Sequence, residues 1–121
     1  MDEIIIQKQE QYIPTVEIRN AKDVLYLTEK EILYCKNKRT SHKITIHLTN
    51  GTTVETENFI TNFFTELFPF GTFFIANKNT IVNARYMKKA GLFRITMQNG
   101  TSFRRKLTKL AEIKKIKENV K

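Results

Sequence analysis

Tryptophan is absent from this sequence, cysteine occurs once, proline twice and glycine four times. The single Cys35 excludes an intramolecular disulfide and any multi-cysteine zinc site, and it suits a reducing compartment. Gly51, Gly71, Gly91 and Gly100 each stand alone, so no glycine-rich phosphate loop exists. Apolar runs are short, none approaching the length of a bilayer span. The Met1 to Ile6 start is acidic where a signal peptide would be basic, and its apolar part is only Ile4-Ile5-Ile6. A cytoplasmic location is therefore expected, and a membrane partner would have to be a separate chain.

Ligands for a metal are equally scarce. His42, His47 and Cys35 are the nearest to a set, and the two histidines, five apart in a strand-like segment, point to opposite faces. No metal site and no cofactor is expected. A Cys35/His42 nucleophile and base pair competes with the simpler reading of Cys35 as a small buried apolar residue. The acids cluster in the N-terminal part with no apolar pocket pattern around any pair. An enzyme is the weakest class.

What the chain does have is asymmetry. From Lys78 to Lys121 there are 13 Lys/Arg against Glu112 and Glu118, an excess of +11, whereas residues 1–77 carry 8 Lys/Arg and 10 Asp/Glu, or −2. A field of this kind suits a polyanion such as nucleic acid or an acidic membrane surface. At 121 residues, 40% of them hydrophobic and nine of them Phe, the chain is long enough for one domain with a real core.

The pattern along the chain is mainly β. Glu3 to Gln7 reads as a weak strand or an arm, with a break at Ile13-Pro14. Val16 to Arg19, Val24 to Leu27 and Glu31 to Lys36 read as strands. Ile44, Ile46 and Leu48 alternate with polar residues before Asn50-Gly51, a hairpin signal, and Thr52 to Glu55 returns. Asn58 to Phe68 has helical spacing, with Asn58 as its cap and Pro69 and Gly71 ending it. Phe73 to Ile75 reads as a short strand running into a polar interruption at 77–79. Phe93, Ile95 and Met97 alternate before a second turn at Asn99-Gly100, with Thr101 to Arg104 pairing back. Leu107, Leu110, Ile113 and Ile116 then mark a terminal helix. The expected fold is thus mainly β with α: antiparallel strands and hairpins, one central helix and one C-terminal helix. The Phe cluster from Phe59 to Phe74 is read as core, Asn83 as a structural turn residue, and Lys114, Lys115, Lys117 and Lys121 as general charge on the helix surface.

Three polar, mostly basic segments lie at strand ends: Lys36 to Lys43, Asn77 to Asn79 with Arg85 and Lys88-Lys89 nearby, and Arg104-Arg105-Lys106 with Lys109. Lys and Arg reach phosphates or guanine edges, and Asn reads adenine.

The run Phe73-Phe74-Ile75-Ala76-Asn77-Lys78-Asn79-Thr80-Ile81-Val82-Asn83, followed by Phe93 to Gly100, resembles the LytTR family of bacterial DNA-binding domains. There a Phe-x-Arg-x-His-Arg-Ser segment leads to an aliphatic pair and an Asn, then to a strand and an Asn-Gly turn. Glu31-Ile32-Leu33-Tyr34 and the Asn50-Gly51 hairpin fall in the same order, so the similarity runs from about Val16 to Glu118. It implies an arm over residues 1–14 and a LytTR-like domain over 15–121, stand-alone with no receiver domain.

The family reads double-stranded DNA with loops in successive major grooves, which implies a transcription regulator. The implied contacts are Lys38, Arg39, Ser41, His42 and Lys43 in the first loop, Asn77, Lys78 and Asn79 in the second, and Arg105, Lys106, Thr108 and Lys109 in the third. Asn77-Lys78-Asn79 stands where the family has His-Arg-Ser, and Ile75 where it has Arg. Lys78 loses the bidentate fork of Arg and so favours phosphate contact. Implied partners are duplex DNA, bound as a dimer, and a membrane-bound inhibitor or other regulatory protein. Two alternatives stand beside this: an RNA or single-stranded nucleic-acid module, and a protein-interaction domain that retains the fold.

Overall fold

Side chains that alternate between apolar and polar give each strand one face to bury. In this chain the alternation is used on both sides of a central sheet. A computed structural model describes residues 13–38 and 42–121. Its strands are β1 (Thr15–Arg19), β2 (Val24–Thr28), β3 (Ile32–Asn37), β4 (Lys43–Leu48), β5 (Thr53–Glu57), β6 (Phe73–Asn77), β7 (Thr80–Asn83), β8 (Met87–Ala90), β9 (Arg94–Met97) and β10 (Ser102–Arg104). The α-helices are α1 (Ile60–Leu67) and α2 (Leu110–Glu118).

Five strands in the order β5-β4-β3-β7-β6 make the central sheet, β10-β9-β8 a second sheet, and β1-β2 a separate hairpin; every pairing is antiparallel. The expected mainly β architecture with a central and a terminal helix is the one observed.

Two cores lie on opposite faces of the central sheet. Cys35, Phe73 and Ile81 face one, with Val16, Ile18 and Leu27 of the β1-β2 hairpin and Ile60, Phe63 and Leu67 of α1. Tyr34, Phe74 and Val82, their sequence neighbours, face the other, with Ile95, Met97 and Phe103 of the second sheet and Ile113 of α2. Cys35 is fully buried, and that burial pushes its thiol pKa far up.

Both Asn-Gly sites are hairpin turns. Gly51 and Gly100 have φ of 90° and 94°, a region that a side chain disfavours, and Asn50 and Asn99 each accept a hydrogen bond at Oδ1 from the backbone two residues on.

Asn83 is structural, as its sequence position suggests. Its Nδ2 donates to Ile32 O and Glu29 Oε2, both at 2.8 Å, while Oδ1 accepts from Arg85 N. Arg85 grips the same Glu29 with two nitrogens at 2.8 and 2.9 Å. Burial alone would raise the Glu29 pKa. Hydrogen bonds from Arg85 and Asn83, with the Arg85 charge, outweigh it and hold the carboxyl below the usual range.

Three details depart from the sequence pattern. The central helix begins at Ile60 with Phe59 as its N-cap, because Asn58 Oδ1 instead accepts from Phe59 N. Phe59 and Phe68, at the two ends of α1, are exposed rather than core. Phe93 precedes β9 and Leu107 precedes α2, and both side chains are in solvent. The polar interruption at 77–79 is a hairpin turn between β6 and β7. The reading of Glu3 to Gln7 lies outside the described residues. No helix among those described is long and apolar enough to cross a membrane.

Candidate nucleic-acid interface

Pairing of β3 with β7 sets Lys36 opposite Thr80, so the loop that follows β3 and the turn that precedes β7 emerge at the same end of the central sheet. Asn37 N joins them by donating to Asn79 O at 2.8 Å. The segment after β10 arrives at that end too. Asn77 Nδ2 donates to Arg104 O (2.9 Å), Lys106 N to Ala76 O (2.7 Å) and Thr108 Oγ1 to Ile75 O (2.5 Å). Three basic segments far apart in sequence therefore form one surface.

Within the first segment, Lys38 N donates to Lys43 O (2.9 Å) and closes the loop. Lys38 Nζ forms an ion pair with Glu55 at 2.8 Å, and Lys43 stands opposite Glu57 in the register of β4 and β5. The Lys38 hydrogen bond, then its charge, lowers the Glu55 pKa. His42 is exposed with its ring 4.3 Å from that of Phe59. Arg39 and Ser41 lie outside the described residues.

The second segment is built by Asn77. Its Oδ1 accepts from Asn79 N at 2.9 Å, which shapes the turn and leaves Lys78 exposed at the tip. Lys36, Lys78, Arg104 and Lys106 line a cleft of about 470 Å³ that no acid among the described residues enters. Lys36 Nζ lies 5.8 Å from the centre of the Phe103 ring on the cleft wall. Thr80, also on that wall, is buried with a hydroxyl that bonds to no other described residue.

Among the third-segment residues, Lys106 and Lys109 are exposed but Arg105 and Thr108 are turned inward. Arg105 donates from Nε to Gly91 O (3.0 Å), and from its two terminal nitrogens to Thr108 O (3.0 Å) and Leu92 O (2.6 Å). Its guanidinium braces the neighbouring turn. Arg104 and Lys36 join the surface although the loop mapping passed over them. Alternation around buried Phe103 and Cys35 was the signal that could have turned both outward. Lys117, read as general charge, instead donates to Ala84 O (2.9 Å) and Met87 O (3.3 Å). Among the described residues no three His, Cys, Asp or Glu side chains come together to hold a metal ion.

No family model and no curated protein matches the chain. Among solved structures it is similar to the LytTr DNA-binding domain of a Bacillus cereus protein described as a methyl-accepting/DNA response regulator. That match has 17% sequence identity and a TM-score of 0.56, and covers 74% of this chain and 83% of the other. The fold is thus the LytTr fold.

Proposed function

We propose that this chain is a DNA-binding transcription regulator that reads double-stranded DNA with three loops at one end of its central sheet. The observation that carries this reading is the convergence of Lys36, Lys78, Arg104 and Lys106 around one cleft with no acid among the described residues that line it. Cations spaced along a rigid edge suit the phosphates of a duplex, and loops on that edge are placed to enter its grooves. In this reading Lys78, Arg104 and Lys106 grip phosphates, and His42 and the 77–79 turn approach base edges. The similar Bacillus cereus domain is a DNA-binding domain, which supports DNA as the partner.

The test is fluorescence anisotropy with duplexes enriched by the chain from a random pool. At ~0.15 M salt the enriched duplex should bind far more tightly than random duplex, since specific sites gain several kcal/mol over non-specific ones. Lys78→Ala and Lys106→Ala should each lower affinity about 5- to 10-fold and reduce the salt slope by about one, with the melting temperature unchanged. Equal binding to enriched and random duplex would end the claim of specific reading, and two silent lysine variants would end this mapping of the contacts.

A further inference from the structure

Leu92 and Phe93 form the tip of the turn between β8 and β9, and at 68% and 76% they are the most exposed large apolar side chains among the described residues. An exposed apolar pair on a loose loop would be unremarkable. This turn is fixed. Gly91 N donates to Arg94 O at 2.9 Å and closes it. Arg105 then holds three successive carbonyls, those of Gly91 and Leu92 through its guanidinium and that of Phe93 through its backbone N at 2.8 Å. The braced tip stands at the basic end of the molecule, because the residue after Arg105 donates to Ala76 O beside the 77–79 turn.

Its surroundings select the partner. Phe93 shares a cleft of about 400 Å³ with Arg94, Arg104 and Lys106, and no acid among the described residues lines it. Leu107, 59% exposed, follows Lys106. Apolar tip and cationic flanks complement a duplex, which offers phosphates outside and an apolar base stack between them. A binder of single strands lays successive bases on a row of aromatic faces. This turn offers one aromatic ring beside one leucine, which suits a wedge.

We infer that the Leu92-Phe93 turn is a wedge for duplex DNA. Arg94, Arg104 and Lys106 hold the phosphates while Phe93 enters the minor groove, partly unstacks one base step and bends the duplex. Pyrimidine–purine steps, which unstack most easily, are the preferred point of entry. The inference rests on the reading of the chain as a duplex-DNA binder and adds to it a contact made by shape.

The experiment uses the full chain and an enriched duplex labelled at both ends, with aminopurine placed at each step in turn. Anisotropy reports binding, energy transfer between the ends reports bending, and aminopurine fluorescence reports unstacking. With the parent chain, one step should brighten and the ends should draw together. Phe93→Ala should abolish the brightening and most of the bend, with affinity reduced about tenfold. Lys106→Ala should lower affinity yet leave the bound duplex bent. Far-ultraviolet circular dichroism and melting check that both variants fold.

A Phe93→Ala complex with the parent's bend and brightening overturns the wedge while leaving DNA binding intact. Single strands that outcompete the duplex, or a change in sedimentation of the free chain on Phe93→Ala, overturn it in favour of a base platform or a self-association surface. Failure of the parent to bind any duplex by anisotropy removes the DNA reading itself, and the wedge with it.

Discussion

The cleft beside Lys43 and the cleft beside Lys78 flank the same end of the central sheet, but their charges are arranged differently. Lys43 and Lys22 share theirs with Asp23, Glu55 and Glu57, whereas Lys36, Lys78, Arg104 and Lys106 share theirs with no acid among the described residues. Among the described residues the surroundings of Lys38 and Lys43 are therefore close to neutral until something displaces their internal partners, and the second and third segments present an unopposed field. Counting basic residues along the sequence treats both regions alike. Among the described residues only the cleft beside Lys78 presents the kind of field that attracts a polyanion from a distance.

The largest effect should come from reversing the unopposed field. Arg104→Glu combined with Lys106→Glu should lower duplex affinity by about 100-fold or more and reduce the salt slope by about two, measured by anisotropy across a salt series. The matching reversal in the first loop, Lys38→Glu with Lys43→Glu, should lower affinity by about tenfold at most, because part of that charge is already neutralised. Equal losses from the two double variants would erase the contrast between the clefts.

Much of this surface was legible in the sequence because it depends on local signals. Two Asn-Gly turns and period-two alternation locate most of the strands, and three basic segments at strand ends mark the loops. The division of cations into available and occupied was not legible, because it depends on partners distant in the chain. Arg105 is bound by carbonyls 13 and 14 residues away, and Lys117 by carbonyls 30 and 33 residues away. Phe93 was misread for a related reason. It continues the alternation of Ile95 and Met97, yet the tight turn closed by Gly91 and Arg94 ends the strand before reaching it.

An intermediate effect should separate two adjacent arginines inside the unopposed region. Arg105→Ala leaves the Gly91, Leu92 and Thr108 carbonyls without their guanidinium donor, and should cost about 2 kcal/mol in urea unfolding. Arg104→Ala removes an exposed side chain and should stay within about 0.5 kcal/mol, while lowering DNA affinity about 5- to 10-fold. Both sets of measurements are needed, since Arg105→Ala will also disturb the Leu92-Phe93 turn. If the two variants are equally stable, the brace contributes nothing and Arg105 belongs with the available cations.

The smallest effect probes the opposed region directly. Lys38 holds the Glu55 carboxyl below its ordinary pKa of about 4.5 through a hydrogen bond and its charge. If a duplex draws Lys38 onto a phosphate, that carboxyl loses its partner and its pKa returns towards the ordinary value. Between the lowered and the ordinary pKa, the complex then binds more protons than the free chain. Affinity should therefore rise as pH falls through that window and be flat above it as far as this group is concerned. Glu55→Gln removes the competition. It should raise affinity at neutral pH about twofold to threefold, a modest gain because exposed ion pairs are weak, and should abolish the rise in acid. A Glu55→Gln variant with the parent's affinity and pH profile would mean that Lys38 stays with Glu55 in the complex, leaving His42 and Lys43 as the described residues through which the first loop could reach DNA.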